Sequence, residues 1–90
     1  MQAIFITGGA SGIGRAVAGY FAARGWRVGL ADVDATGLKA TAATLPADRT
    51  ATYLLDVRDQ DAWESALAAF AALSGGRLDV MFNNAGVALR

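Results

Sequence analysis

The clearest candidate for chemistry in this sequence is a glycine-rich segment, residues 7–14, which reads Thr-Gly-Gly-Ala-Ser-Gly-Ile-Gly. It lies between a short apolar run, residues 3–7, and the first turn of a predicted helix. At such a junction the unpaired N–H groups of the helix start and its positive dipole end favour an anion without any basic side chain. The segment therefore predicts a binding site for a phosphate or pyrophosphate group.

Three glycines and one serine of this segment have separate expected roles. Gly8 permits a sharp turn, Gly12 lets the backbone approach a pyrophosphate, and Gly14 lets the helix pack closely on the sheet. Ser11 can donate its hydroxyl to a phosphate oxygen. The alternative is a plain strand-to-helix turn that tolerates glycine, but such a turn does not require three glycines at fixed spacing.

A second phosphate-binding pattern, the P-loop G-x-x-x-x-G-K-[ST], is half satisfied by Gly9 and Gly14. Arg15 stands where that pattern has lysine, and Ala16 stands where it has the hydroxyl that holds magnesium. The sequence therefore does not predict a nucleoside triphosphatase.

A carboxylate, Asp32, ends the second predicted strand 18 residues after Gly14. Dinucleotide-binding folds place there the acceptor for the adenosine ribose hydroxyls, and a carboxylate repels a 2′-phosphate, so NAD is predicted over NADP. No basic residue occurs in residues 11–14 or directly after Asp32, although Arg15 is close in sequence. Asp32 or Asp34 could instead cap the next helix; we expect Asp34 to be the cap and Asp32 the ribose ligand.

Polar residues also follow the third and fourth predicted strands. Asp56 and Val57 come after residues 50–55, and the sequence Asn-Asn-Ala-Gly, residues 83–86, follows the fourth strand. Ligands of parallel sheets bind beyond the carboxyl ends of the strands, so both places are expected near an adenosine group. Asp56 either accepts a hydrogen bond from the adenine amino group, with Val57 packed on the ring, or caps the end of the strand. Asn83 either forms a hydrogen bond with the backbone or contacts the ligand.

The elements that must position these residues alternate between strand and helix. Apolar and β-branched runs predict strands over residues 3–7, 27–32, 50–55 and 78–82. Helical spacing predicts three helices between them, the second over residues 35–45 and the third after an Asp59 cap. The order βαβαβαβ predicts an α/β fold, a partial Rossmann-type doubly wound parallel sheet with strand order 3-2-1-4, as one segment over residues 1–90.

The helices are expected to bury their apolar faces against this sheet. For the first helix that face consists of Ile13, Val17, Tyr20 and Phe21, and for the third it consists of Trp63, Leu67, Phe70 and Leu73. A sheet of this order that ends at its fourth strand has an open edge and an incomplete helix layer. We therefore expect exposed apolar surface, covered either by residues beyond Arg90 or by self-association into a homo-oligomer.

Composition narrows the possible chemistry further. The 90 residues contain no His and no Cys, which excludes thiolate nucleophiles, disulfides, Cys/His metal sites and His-based triads. Eight basic and eight acidic side chains balance to zero, which disfavours binding to nucleic acid or anionic membranes. No apolar run approaches the length of a membrane span and the start does not resemble a signal peptide, so a cytoplasmic location is expected.

Together these motifs resemble the N-terminal part of the short-chain dehydrogenase/reductase family: Thr7-Gly8-x-x-x-Gly12-x-Gly14, Asp32, Asp56-Val57 and Asn83-Asn84-Ala85-Gly86. The resemblance covers all 90 residues and implies an NAD(P)-dependent oxidoreductase that transfers hydride between nicotinamide and an alcohol or carbonyl carbon. It also implies the following contacts: Ser11, Gly12, Ile13 and Gly14 along the pyrophosphate, Asp32 on the adenosine ribose, Asp56 and Val57 at the adenine, and Asn83, Ala85 and Gly86 beside the adenosine half and the central strand.

The Ser, Tyr and Lys with which that family catalyses its reaction have no counterpart in these 90 residues. The only tyrosines are Tyr20 and Tyr53 and the only lysine is Lys39, and both tyrosines are expected to be packing residues. We therefore expect the segment alone to be inactive and the activity to belong to the complete enzyme. The alternatives are a non-catalytic module that binds NAD or an adenine nucleotide, and an interaction protein that reuses the fold.

Overall fold

The short apolar segments form one parallel sheet in the computed structural model, which describes residues 1–84. Its strands are β1 (Ala3–Thr7), β2 (Arg27–Asp32), β3 (Thr50–Leu54) and β4 (Val80–Asn83). They lie in the order β3-β2-β1-β4, and each neighbouring pair is parallel. The predicted α/β class and the strand order 3-2-1-4 are therefore confirmed, since helices cross over between successive strands.

The helices of the described part are α1 (Gly12–Ala22), α2 (Ala35–Ala42) and α3 (Gln60–Leu73), with a 3-10 turn at Ala47–Arg49. The Asp34 carboxylate accepts from the Gly37 N–H at 3.0 Å at the start of α2. The Asp59 carboxylate accepts from the Ala62 N–H at 3.2 Å at the start of α3. Both predicted N-caps are present, because an aspartate before a helix satisfies an N–H that has no partner within the helix.

Element boundaries differ from the predicted ones where side chains compete with the regular pattern. Helix α2 ends at Ala42, and the Thr44 hydroxyl donates to the Thr41 carbonyl at 2.7 Å, a local bond that competes with helix continuation. Strand β3 ends one residue early and β4 runs over residues 80–83 in place of 78–82. β4 begins late because the Asp79 carboxylate takes the Ala3 N–H at 2.8 Å, where a strand carbonyl would otherwise accept.

Strand β1 is central, and its alternating side chains divide the core between the two faces of the sheet. Ile4 and Ile6 belong to a cluster with the inward residues of α1, α2 and β2: Ala18, Ala22, Val28, Leu30 and Leu38. Phe5 points to the other face, where its ring centroid lies within 5.6–5.7 Å of three rings: Tyr53, Trp63 and Phe70. Tyr53 is therefore a packing residue, as predicted.

Helix α1 buries only part of the face predicted for it, since Val17 and Phe21 are partly buried against the core cluster that contains Ile4. Ile13 and Tyr20 are 63% and 54% exposed, so the prediction that both are buried is wrong. The buried positions are small residues, Gly14, Ala18 and Ala22, because the helix lies too close to the sheet for large side chains. Tyr20 instead stacks under the Arg24 guanidinium, whose central carbon lies 3.5 Å from the ring centroid.

Apolar side chains are exposed around β4, as expected for an open sheet edge. They are Leu78 before β4, and Val80 and Met81 within it. Leu73, which was predicted on the buried face of the third helix, is 56% exposed at the end of α3, so the prediction is wrong for this residue. Among residues 1–84, no helix combines the length and the apolar character needed to cross a bilayer.

Candidate functional site

The glycine-rich segment makes its turn at Gly8, whose φ of +70° lies in the left-handed region that glycine adopts readily. The Gly8 carbonyl accepts from the Ser11 N–H at 3.1 Å, which closes the turn. A Cβ added at Gly14 would lie 2.3 Å from this same carbonyl oxygen. Gly14 is thus needed for close packing, as predicted, but the packing partner is the turn at Gly8 and not the sheet.

Two backbone donors at the start of α1 have no acceptor among the described residues: the N–H groups of Gly12 and Ile13. By contrast, the N–H groups of residues 9–11 and Gly14 all donate within the protein. The space beside Gly12 is open toward residues 1–84, since an added Cβ would meet none of their atoms within 4 Å. Free donors at the positive end of a helix dipole form a site for an anion.

The Ser11 hydroxyl is the N-cap of α1 and is fully used inside the protein. It donates to the Gly8 carbonyl at 2.8 Å and accepts from the Gly14 N–H at 3.1 Å and from the Asn84 side-chain amide at 2.7 Å. A serine hydroxyl has one proton and two lone pairs, and these three bonds use all of them. Donation to a phosphate, as predicted for Ser11, would therefore require the loss of the bond to Gly8.

Asp32 lies half-buried at the end of β2 with its carboxylate held by two backbone N–H groups. Its Oδ2 accepts from Ala10 at 3.0 Å, and its Oδ1 accepts from Asp34 at 3.1 Å. Asp34 and not Asp32 caps α2, in agreement with the roles expected for the two aspartates. A carboxylate has about four acceptor positions, so Asp32 can still accept hydrogen bonds from two further donors such as ribose hydroxyls.

Strand β2 and helix α2 hold the first half of the glycine-rich segment in place. The Gly9 N–H donates to the Ala31 carbonyl at 3.1 Å, and the Gly9 carbonyl accepts from the buried Thr41 hydroxyl at 3.0 Å. Thr41 was not among the residues selected from the sequence. The available signal was a polar residue three positions after Leu38, on the face of the second helix that packs on the sheet.

The end of β4 holds the second half of the segment through two asparagines. Asn83 accepts from the Thr7 hydroxyl at 2.9 Å, so its side chain bonds a neighbouring side chain of the sheet. The buried Asn84 donates to the Ser11 hydroxyl and, at 3.4 Å, to the Gly8 carbonyl. Asn84 was not selected individually from the sequence, although it stands in the Asn-Asn-Ala-Gly motif. The predictions for Ala85 and Gly86 lie outside the described residues.

Asp56 follows β3 and is paired with Arg58, whose guanidinium approaches it to 2.7 Å. The Arg58 N–H also donates to the Asp56 carboxylate at 2.9 Å. The side-chain hydrogen bond from Arg58 is the main cause that lowers the pKa of Asp56 to about 2. The strand-end role left open for Asp56 is thus present, while Val57 packs against the cluster that contains Phe5.

The remaining titratable groups do not form a proton-transfer site in residues 1–84. Burial raises the pKa of Tyr53, which disfavours the phenolate form that a general base requires. Asp79 lies at the amino end of the sheet, where the Ala3 N–H is the main cause that lowers its pKa. Within the described part of the chain there is also no group of three or more acidic residues that could hold a metal ion.

The chain matches the family described as short chain dehydrogenase over residues 2–90. D-threitol dehydrogenase of Mycolicibacterium smegmatis is 44% identical over 85 residues, which cover 92% of this chain and 32% of that protein. Glucose dehydrogenase of Caenorhabditis elegans, solved in its apo-form, superposes with a TM-score of 0.83 at 30% identity and covers 92% of this chain and 37% of its own.

A second solved structure adds a bound molecule to the comparison. The 3-ketoacyl-(acyl-carrier-protein) reductase from Brucella melitensis, complexed with NADH, superposes with a TM-score of 0.80 at 26% identity. The match covers 89% of this chain and 32% of that one. The chain thus spans about a third of the length of the proteins it resembles.

Proposed function

Since this chain belongs to the short-chain dehydrogenase family, we propose that it is the NAD(H)-binding part of an oxidoreductase. When bound, the nicotinamide accepts or supplies the hydride that interconverts an alcohol and a carbonyl substrate. The chain's own residues bind and orient the adenosine and pyrophosphate parts of that cofactor. Because the chain spans about a third of its relatives, we assign the chemical step to the complete enzyme and none to residues 1–90 alone.

The observation that carries this proposal is the pair of free N–H groups of Gly12 and Ile13 at the start of α1. A pyrophosphate oxygen there receives two backbone hydrogen bonds and the positive end of the helix dipole, in open space beside Gly12. Ser11 and Gly14 fix the direction of the donors, because the N-cap bond between them sets the first turn of the helix.

The choice of NAD over NADP rests on Asp32. Its carboxylate is half-buried and tied to two N–H groups, so it cannot turn away from a ribose placed beside it. Vicinal hydroxyls satisfy its remaining acceptor positions, whereas a 2′-phosphate meets a like charge. Arg15 makes no ion pair with Asp32 in the described part of the chain, and its guanidinium donates to the Ala40 carbonyl on α2 at 3.2 Å.

The other predicted contacts complete the proposed site. We place the exposed Ile13 beside the pyrophosphate, Asp56 and Val57 at the adenine, and Asn83 near the adenosine half. Ala85 and Gly86 remain proposed contacts from the sequence pattern. Both carboxylate oxygens of Asp56 accept from Arg58, so a bond from the adenine amino group would replace one of these contacts.

The wider proposal concerns the complete enzyme. Its substrates are small alcohols or carbonyl compounds, its location is the cytoplasm, and it binds neither nucleic acid nor membrane. The apolar surface around Leu73, Val80 and Met81 is covered either by the remainder of the enzyme or by a second copy. A nucleotide-binding module without chemistry is the less favoured alternative, since relatives such as D-threitol dehydrogenase and levodione reductase are named as oxidoreductases.

Calorimetry on the complete protein with NAD, NADP and AMP tests this function directly. We expect NAD to bind more tightly than NADP, and we expect absorbance of NADH to appear when an alcohol substrate is supplied. Binding of NAD without hydride transfer to any alcohol or carbonyl compound would favour the non-catalytic module. Absence of NAD and NADP binding would contradict the proposal as a whole.

A further inference from the structure

The peptide unit between Gly9 and Ala10 is held at both of its polar ends. Its carbonyl oxygen, on Gly9, accepts from the Thr41 hydroxyl at 3.0 Å. Its N–H, on Ala10, donates to the Asp32 carboxylate at 3.0 Å. Because a peptide unit is planar, these two bonds act on one rigid group, and the orientation of one end sets the orientation of the other.

The bond from Thr41 is buried, which makes it hard to replace. Thr41 is 1% exposed, and Gly9 is buried against β2, where an added Cβ would lie 2.9 Å from the Cβ of Leu30. Water has little access to such a carbonyl, so removal of the hydroxyl leaves the Gly9 oxygen without a donor in the described part of the chain. The peptide is then free to rotate toward another donor.

Rotation of this peptide changes the surroundings of Asp32. The Ala10 N–H is one of two backbone donors that hold the Asp32 carboxylate, and the other comes from Asp34. When the Ala10 bond lengthens, the carboxylate loses the contact that ties it to the glycine-rich segment. Asp32 then no longer presents a fixed acceptor to a ribose, although its charge is unchanged.

We propose that Thr41 is a positioning residue for cofactor selection, which acts through the Gly9–Ala10 peptide to orient the carboxylate of Asp32. Thr41 lies on α2, and its hydroxyl is linked to Asp32 through this peptide. The inference rests on the proposed function, because it assigns to α2 a share in the preference for NAD over NADP.

The test compares Thr41→Val, which removes the hydroxyl at similar volume, with Thr41→Ser, which keeps it. In the complete protein, calorimetry gives dissociation constants for NAD and NADP, and thermal unfolding gives stability. We expect Thr41→Val to reduce the NAD-to-NADP preference on the order of 5-fold and Thr41→Ser to restore it. A purely structural role would lower the melting temperature and leave the ratio of the two constants unchanged.

Thr44→Val is the matched control, because the Thr44 hydroxyl donates to the Thr41 carbonyl and not to the glycine-rich segment. It should leave the cofactor preference as it is. If Thr41→Val does not fold, Thr41→Ala carries the same expectation without placing a methyl group against the Gly9 carbonyl. In an Asp32→Ala background, removal of the Thr41 hydroxyl should not change the ratio any further.

The outcomes separate the inference from the function on which it rests. An unaltered protein that binds neither NAD nor NADP overturns both. An unaltered protein that prefers NAD, together with a folded Thr41→Val or Thr41→Ala variant of unchanged preference, overturns the positioning role alone. A further change in the Asp32→Ala background would also contradict it, because Thr41 would then act by a route other than Asp32.

Discussion

The side-chain amide of Asn84 donates to the hydroxyl of Ser11 at 2.7 Å, which joins the end of β4 to the N-cap of α1. The same hydroxyl accepts from the Gly14 N–H, so the glycine-rich segment and a residue 73 positions away meet at one oxygen atom. The start of α1 is therefore set by the sheet as well as by its own local sequence.

Loss of this network should lower stability in a non-additive way. Ser11→Ala removes the cap and should cost about 1 kcal/mol, and Asn84→Ala should cost about 1–2 kcal/mol because it removes a buried hydrogen bond. The double variant should lose less than the sum, since both changes break the same bond. Urea unfolding of the complete protein measures these differences.

Ser65→Ala is the control for this series, because Ser65 is exposed on α3 and makes no contact with the glycine-rich segment. Its stability should stay close to that of the unaltered protein. Strictly additive losses for Ser11 and Asn84 would show that the two side chains act independently.

A negative charge at the start of α1 should weaken cofactor binding without damage to the helix. Gly12→Glu places a carboxylate beside the free N–H groups, where it complements the helix dipole but repels a pyrophosphate. Binding of NAD should weaken by at least about tenfold, which is ~1.4 kcal/mol. Calorimetry measures the affinity, and circular dichroism checks the helix.

Gly19 offers a matched control on the same helix, because a Cβ added there would also meet no atom within 4 Å. Gly19→Glu introduces the same charge away from the helix start and should leave NAD affinity unchanged. Equal losses in the two variants would indicate a general effect of charge on α1 and no specific anion site.

Removal of the Asp32 charge should shift cofactor preference toward NADP. Asp32→Asn keeps one side-chain acceptor for the Ala10 N–H but no longer repels a 2′-phosphate. The ratio of NADP to NAD affinity should rise about tenfold, or ~1.4 kcal/mol. Dissociation constants for both cofactors, measured on one preparation, give this ratio.

Asp34→Asn removes an identical charge two residues away and keeps a side chain that caps helices well. Its cofactor preference should match that of the unaltered protein. A shift of equal size in both variants would mean that overall charge at the end of β2, and not Asp32 itself, selects the cofactor.

The ion pair between Asp56 and Arg58 should be detectable as a lowered pKa of Asp56 in an acid titration. The pKa of Asp56 is lowered from an ordinary value of 3.8 to about 2 in the folded protein. The ion pair therefore stabilises the fold at pH values above the pKa that Asp56 has in the unfolded chain, and this stabilisation is lost as the pH falls toward 2. The carboxyl carbon of Asp56, followed by NMR, should titrate near the lower value. In Arg58→Gln the pKa of Asp56 should rise but stay below its ordinary value, because the N–H of residue 58 still donates to the carboxylate.

Arg77→Gln is the control, because the Arg77 guanidinium pairs with Asp79 and not with Asp56. The pKa of Asp56 should stay low in this variant. An Asp56 pKa that does not respond to Arg58→Gln would show that the guanidinium is not the group that lowers it.

Several features of the fold followed from local sequence. Asp34 and Asp59 were predicted as N-caps because a cap depends only on its own side chain and the next three residues. The strand order 3-2-1-4 followed from the βαβ wiring, since crossover connections have one favoured hand. The spacing of the glycines also predicts that the chain turns at Gly8 and that position 14 has no room for a side chain.

The burial of α1 was predicted less well. Periodicity places Ile13 and Tyr20 on the apolar stripe with Val17 and Phe21. In the structure, however, Ile13 and Tyr20 are exposed. The angle at which a helix faces its sheet depends on how closely it can approach. Here the buried positions of α1 are the small residues Gly14, Ala18 and Ala22, and a hydrophobic pattern does not report how closely such a helix approaches its sheet.

By itself, the sequence determined the order of the elements, the glycine turn, the helix caps and the carboxylate at the end of β2. The tertiary structure decided which side chains hold that turn: Thr41 bonds Gly9 across 32 residues, and Asn84 bonds Ser11 across 73. Local patterns record backbone preferences and periodicity. A hydrogen bond between distant side chains depends on strand register and helix rotation, which only the packing of the whole sheet fixes.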